Sequence, residues 1–248
     1  MRLHRFYVRE MINAQVELSI QSAELTNQIR KVFRLKNGDF VILFDGSGFD
    51  YECKISGSAK ESIDFSVVSS QHSRYMPSRD IYLCAAITKK DTFEWIVEKA
   101  TELGVTHIVP VLAERSEKKS LNEERLRKIA IEASEQSGRG GVPQILPITK
   151  LDEVTGLTAA LENTKSIVFH TEGEMLNKKD VVASDGISGE AQPLYVFIGP
   201  EGGWSQAEMD MFHRLDMPVA CLGNQVLRAE TAVIVALSAV TFPNIWVS

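Results

Sequence analysis

The stretch P193-LYVFIGPEGGWSQAE-208 sets an apolar run, a loop of three glycines and a carboxylate, and a Ser-x-x-Glu capping signal end to end. "LYVFI" is apolar throughout, as a strand buried on both faces must be. Ser205 and Glu208 then mark the start of a helix. Between them lies G199-PEGG-203, a strand-to-helix connection whose glycines lack the Cβ that would keep a ligand off the main chain. A strand, loop and helix in this order are the unit of a parallel α/β sheet, and ligands bind such sheets beyond the carboxyl ends of the strands.

The same grammar extends in both directions. Upstream, "IYLCAAI" (81–87), "VTHIVPV" (105–111), "PQILPI" (143–148) and "SIVFH" (166–170) read as strands, and "PVACL" (218–222) follows downstream. After Asp91 a helix is expected, with Phe93, Ile96, Val97, Ala100 and Leu103 on one face and a stop at Gly104. Ser120 and Glu123 suggest a further capping box, opening a helix with Leu126, Ile129, Ala130 and Ala133 inward. Three successive strand ends carry polar, glycine-containing loops: T171-EGE-174, G199-PEGG-203 and G223-NQVLRAETA-232.

Before residue 70 the pattern changes to short alternating runs. "QVELSI" (15–20), "FVILF" (40–44), "FDYECKIS" (49–56) and "ESIDFSVVSS" (61–70) read as strands, with Asp45-Gly46-Ser47-Gly48 as a hairpin turn. One helix is expected over 22–35, with Leu25, Ile29, Val32 and Phe33 on one face. The polar segment S69-SQHSRYMPSR-79 separates the halves, so the domains are placed at 1–73 (small, β-rich) and 74–248 (α/β).

Composition bounds the function. The chain has 248 residues, 44% hydrophobic and 24% charged, with a net charge of −6. No stretch is long and apolar enough to span a bilayer, and "MRLHRFYVRE" lacks a signal-peptide core, so a cytoplasmic protein without membrane attachment is expected. Cys53, Cys84 and Cys221 are too far apart for a metal or redox pair and read as core residues; no metal site is expected. The total charge speaks against nucleic acid, but residues 1–36 carry seven Lys/Arg against three acids. That end is either a solvated basic face or an RNA-contacting arm, with Arg2 and Arg5 interleaved with His4, Phe6 and Tyr7.

The glycine loop also excludes cofactors. Gly199, Gly202 and Gly203 do not make the G-x-G-x-x-G of dinucleotide sites, and no G-K-[ST] serves a nucleoside triphosphate. Glu201 in the loop disfavours a phosphate and suits a neutral or cationic ligand. By themselves these residues also admit a plain strand-to-helix turn, and Arg228, Glu230 and Thr231 an ion pair with a helix cap.

"IGPEGGWSQAE" and "LGNQVLRAETA", with "EKATELGVTHIVPVLAERS" and "EASEQSGRGGVPQI" upstream, resemble the RsmE-type bacterial 16S rRNA uridine N3-methyltransferases of the SPOUT class. "MRLHRFYV" and "RLKNGD…LFDG" extend the resemblance over almost the whole chain. It implies an N-terminal PUA-like β-barrel that binds RNA and a C-terminal α/β SPOUT domain with a trefoil knot. It also implies an S-adenosyl-L-methionine cofactor, a homodimer, and 16S rRNA within the assembled small ribosomal subunit as partner.

Carried over by position, the cofactor residues are His170, Thr171 and Glu172; Ile198, Gly199, Pro200, Glu201, Gly202 and Gly203; and Leu222, Gly223, Leu227, Arg228, Glu230, Thr231 and Ala232. The sulfonium and ammonium of such a cofactor tolerate Glu172, Glu201 or Glu230 nearby, and its adenine suits free main-chain groups. For catalysis, Arg228 or Arg139 is expected to stabilise charge on the uridine carbonyl oxygens, and Glu230, or a water it orients, to take the N3 proton. Arg2, Arg5, Arg9 and Arg34, with Arg115, Lys118 and Lys119, are the expected RNA contacts. A methyltransferase of this class acting on another RNA or another base atom, a non-catalytic RNA-binding protein on the same scaffold and a dinucleotide-dependent oxidoreductase are the alternatives, the last weakened by the missing fingerprint.

Overall fold

Asp45 organises the hairpin that the sequence marks. Its carboxylate accepts from the backbone N–H of Ser47 (3.0 Å) and of Ile12 (2.8 Å), while Gly46 and Gly48 take φ of 87° and 88°. In this computed structural model, which describes residues 3–12, 16–116, 120–176 and 191–242, the hairpin joins β3 (Phe40–Phe44) to β4 (Phe49–Ser58). With β1 (Arg5–Tyr7), β2 (Glu17–Gln21) and β5 (Ser62–His72) they form a sheet ordered β1-β3-β4-β5-β2. Its inward residues, among them Phe6, Ile20, Leu43, Ile55 and Phe65, make one apolar core.

The helix of this unit departs from expectation. Ser22 caps α1 (Ala23–Asn27) by accepting from Leu25 N–H at 3.1 Å, but the next turn, Gln28–Val32, is a π-helix. Phe33 N–H reaches back five residues to the Gln28 carbonyl, so Phe33 stays against the core while Val32 turns out to 70% exposure. An α-helical period cannot anticipate the extra residue in that turn.

By its contacts the chain divides after Met76, and Ser134–Val142 belongs with the N-terminal unit. The sequence reading had assigned that segment to the second half. Glu135 accepts from Tyr7 N–H (3.0 Å) and Gln28 Nε2 (3.1 Å), and the Arg139 carbonyl accepts from Arg5 Nη2 (3.2 Å). A Cβ on Gly140 would lie 2.4 Å from that of Ser73, so only glycine fits.

The second unit is a parallel sheet. β6 (Ile81–Ala86), β7 (His107–Leu112), β8 (Gln144–Ile145), β10 (Lys165–Met175), β11 (Leu194–Ile198) and β12 (Val219–Cys221) run in the order β12-β10-β11-β6-β7-β8, and β9 (Thr149–Lys150) also pairs with β7. "PQILPI" thus yields a strand only at Gln144–Ile145, and β9 follows just beyond it. α2 (Lys90–Glu102) and α6 (Ala229–Thr241) pack together, with α6 against β11. Leu151 and Val154 of α4 (Leu151–Ala160) and Met209 and Phe212 of α5 (Gln206–Arg214) share a core with Val168 and Phe197. α3 (Glu123–Ser137) is capped by Asn122, whose Oδ1 accepts from Arg125 N–H at 3.0 Å, two residues past the expected Ser120. No helix among the described residues is long and apolar enough to cross a membrane. The three cysteines are buried, and burial pushes the Cys53 thiol up to about 12.

Arg5 and Asp50 form a bidentate pair (2.6 and 2.8 Å), each side chain 9% exposed. Removing one partner strands a buried charge, which typically costs about 3–5 kcal/mol. Asp50→Ala should therefore lower unfolding free energy by about that amount in urea, and Arg5→Met with Asp50→Leu should recover most of it. A loss below about 1 kcal/mol in the single variant would mean that the pair acts like an exposed one.

Candidate functional site

All strands of a parallel sheet end on one edge, and β12, β10 and β11 are neighbours. The three loops singled out in the sequence therefore emerge side by side. The β11 loop is a tight turn: Gly203 N–H bonds the Pro200 carbonyl at 2.8 Å, and Gly203 takes φ of 68°. Ile198 and Pro200 are buried, whereas Glu201 and Gly202 are exposed. Trp204 anchors the turn from below. Its ring is 3% exposed, meets Phe212 edge-on at 5.2 Å, and donates Nε1–H to the Phe169 carbonyl at 3.2 Å. A Cβ on Gly199 would sit 3.3 Å from that ring.

At β10 the structure corrects the expected loop. Residues 171–174 belong to the strand, which bulges: Phe169 and Glu174 both stand opposite Ala220 of β12. An irregularity of this size bends the strand and re-aims its side chains. Here His170 accepts from Glu172 N–H through Nδ1 at 3.2 Å, and Thr171 and Glu172 are exposed. Gly173 permits the crossing, since a Cβ there would lie 2.5 Å from the Ala220 carbonyl carbon.

After β12, Gly223 takes φ of 135° and the chain runs to α6. The helix starts at Ala229 with Arg228 as N-cap through its backbone: the Arg228 carbonyl accepts from Ala232 N–H at 2.8 Å. Thr231 is thus inside the first turn and not its cap. Arg228 and Thr231 are exposed; Leu222, Leu227, Glu230 and Ala232 are half-buried.

Two polar side chains, Glu208 and Arg115, tie down the turn after β11 through long-range bonds that the sequence reading missed. Glu208 accepts from Ser205 N–H (2.7 Å) and from Glu114 N–H (2.8 Å), completing the Ser205 capping box and joining it to the chain after β7. Arg115 Nη1 donates to the Gly202 carbonyl at 2.7 Å. The capping signal at Ser205 and Glu208 was visible, but the bond to Glu114, 94 positions away, has no local trace.

The expected RNA and catalytic residues separate. Arg9 and Arg34 are exposed, Arg5 is held by Asp50, and Arg115 is held by the glycine turn. Arg5 is thus engaged by a buried carboxylate, and Arg115, though exposed, by main-chain carbonyls. Arg2, Lys118 and Lys119 lie outside the described residues. Arg139 is 6% exposed in the segment that packs with the N-terminal unit, and burial pulls its guanidinium down to about 10. Arg139 thus belongs to one unit, and Arg228 and Glu230 to the other.

The residues at this edge suit a ligand recognised by main chain. At Gly203 a Cβ would meet nothing within 4 Å, and at Gly223 only the Gln225 side chain at 3.8 Å, so both leave open space against the backbone. A cleft of about 450 Å³ borders the Glu114–Glu208 bond, lined by Glu114, Ser116, Lys150, Asp152, Glu208 and Arg214 among others. None of the expected cofactor residues lines it. The loops make the better candidate, because they leave backbone open to a ligand at Gly203 and Gly223. Gly173→Ala tests the edge: the Cβ meets backbone, which cannot swing aside. A loss of about 1–3 kcal/mol in thermal unfolding is expected; an unchanged melting temperature would show that β10 does not cross β12 so closely.

Comparison with known proteins agrees with this architecture. Residues 75–241 match the model of the RNA methyltransferase domain, and residues 29–68 that of the RNA methyltransferase PUA domain. The ribosomal RNA small subunit methyltransferase E of Bacillus subtilis is 30% identical, over 97% of this chain and 96% of its own. That of Rickettsia conorii is 27% identical over the same shares. A methyltransferase of Legionella pneumophila, solved in complex with the cofactor SAM, superposes with a TM-score of 0.85 at 26% identity, covering 98% of each chain. An rRNA-methyltransferase of Porphyromonas gingivalis gives 0.81 at 27% identity, over 98% of this chain and 100% of that one. With a PUA-like sheet preceding a SPOUT-type parallel sheet, the chain belongs to the ribosomal RNA small subunit methyltransferase E family.

Proposed function

We propose that this protein methylates N3 of a uridine in the 16S rRNA of the small ribosomal subunit, with S-adenosyl-L-methionine as methyl donor. The observation that carries the reading is the adjacency of β12, β10 and β11, which brings 170–172, 198–203 and 222–232 to one edge. The SAM-bound Legionella structure of the same fold supports the cofactor. The small-subunit relatives support the substrate. A homodimer and a trefoil knot in the second unit belong to the same proposal.

The cofactor supplies an electrophilic methyl group on a positive sulfur. The open backbone at Gly203 and Gly223 would take its uncharged parts, while Glu172, Glu201 and Glu230 would offer negative charge to its cationic groups. N3 of uridine carries a proton that must leave as its lone pair bonds the methyl carbon and the carbon–sulfur bond breaks. Glu230, half-buried in the first turn of α6, takes that proton directly or through a water. Arg228, exposed at the N-cap, steadies the charge on the flanking carbonyl oxygens. N3 lies on the pairing edge, so the base reacts only when unpaired or extruded.

On the N-terminal unit, Arg30, Lys31, Arg34 and Lys36 are exposed on and after the π turn and grip phosphates. Arg34 has φ of 57°, a conformation that favours glycine. Arg34→Gly should leave the fold as stable or stabilise it by about 1 kcal/mol, yet weaken RNA binding and reduce its salt slope by about one. Equal RNA affinity would remove Arg34 from the interface.

The deciding experiment incubates the protein with labelled S-adenosylmethionine and small subunits from a strain lacking the gene, with tRNA and free 16S rRNA in parallel, followed by nucleoside mass spectrometry. Label recovered as 3-methyluridine from the small subunit is expected. Label on another nucleoside or RNA would overturn the target, and cofactor binding without label the substrate.

A further inference from the structure

The glycine turn after β11 is held from a strand that reaches none of the three loops. β6 separates β11 from β7 in the sheet, yet the segment leaving β7 makes the bonds that fix the turn. That segment is itself closed: Ser116 Oγ accepts from Ala113 N–H at 3.1 Å, and Ser116 N–H donates to the Ala113 carbonyl at 3.1 Å. It presents two groups to the turn. Glu114 N–H is fixed by the buried Glu208 carboxylate, which also holds Ser205 N–H just past the turn. Arg115 then lays its stem along Gly202, where a Cβ would come within 3.3 Å of Cδ. Its Nη1 donates to the carbonyls of Gly202 (2.7 Å) and Trp204 (3.4 Å).

We infer that Arg115 and Glu208 are positioning residues: together they clamp the Gly199–Gly203 turn in the conformation that receives the cofactor. The inference rests on the proposed cofactor site. Its physical basis is that a turn with three glycines samples many backbone states when free. A ligand that binds only one of them loses affinity in proportion to the fraction of time the turn spends elsewhere. Bonds from an ionised donor or acceptor to main chain are the stronger kind, and here two charged side chains supply four. Arg115 also covers Gly202 in place of the missing side chain, which explains an exposed arginine turned toward protein rather than solvent. Both oxygens of Glu208 accept from N–H groups, so an amide, with one acceptor, would turn its NH₂ onto a donor.

The test uses the full chain and reads the turn before the cofactor. Hydrogen–deuterium exchange of the 199–204 segment is measured without cofactor in the wild type, Arg115→Ala, Arg115→Lys and Glu208→Gln, with each melting temperature. S-adenosylmethionine affinity by calorimetry and the KM values for cofactor and RNA follow. In Arg115→Ala the segment should exchange at least about tenfold faster and bind cofactor about 10- to 100-fold more weakly, with RNA KM unchanged. Lysine should restore part of both, and Glu208→Gln should resemble the alanine variant. Unchanged exchange with a raised RNA KM would overturn the inference and make Arg115 an RNA contact. Should the wild type bind no cofactor, the proposed site fails, while exchange still decides whether the clamp exists. Should Glu208→Gln not fold, the two Arg115 variants, at an exposed position, decide alone.

Discussion

Parallel pairing of β12, β10 and β11 is the constraint from which the rest of the second unit follows. Antiparallel neighbours would deliver alternate loops to opposite edges; parallel ones deliver all of them to the same edge. Burial on both faces makes that pairing possible. β11 is buried at every residue, with Trp204, Phe212 and Val168 in the core on one side and α6 packed on the other. Once the edge is set, three loops with little side chain of their own become a surface of backbone, carboxylates and one exposed arginine.

The edge is rigid for reasons outside the loops. Trp204 reaches beneath the turn to the end of β10, Glu208 reaches across β6 to the end of β7, and Gly173 lets β10 pass over β12 without room for a methyl group. Each device removes freedom that glycine would otherwise leave. A site that recognises its ligand through main chain needs such support, because it has few side chains with which to capture the ligand.

Much of this was legible in the chain. Continuous apolar runs named β6, β7, β10 and β11, the Ser205–Glu208 box located α5, and Asp45–Gly48 gave the hairpin. What escaped was non-local or broke the period. The π turn adds a residue that no α-helical wheel contains, so of Val32 and Phe33, both read as inward, only Phe33 stays against the core. Asn122 rather than Ser120 caps α3, because either residue type suits an N-cap and only the backbone decides between them. The bonds of Arg5 and Arg115 left no local trace, because the carboxylate and the Gly202 carbonyl that hold them lie 45 and 87 positions away. Charge clustering along a sequence counts cations; it does not say which of them protein atoms already hold.

The central claim is that the ligand is held by the backbone of three adjacent strand ends and not by the charged cleft beside Lys150 and Arg214. A crystal structure of this chain with S-adenosylmethionine tests it directly. The account predicts the ligand against 170–172, 198–203 and 222–232, with Arg115 still bonded to the Gly202 carbonyl. Density for the ligand in the cleft, with the three loops bare, would contradict it.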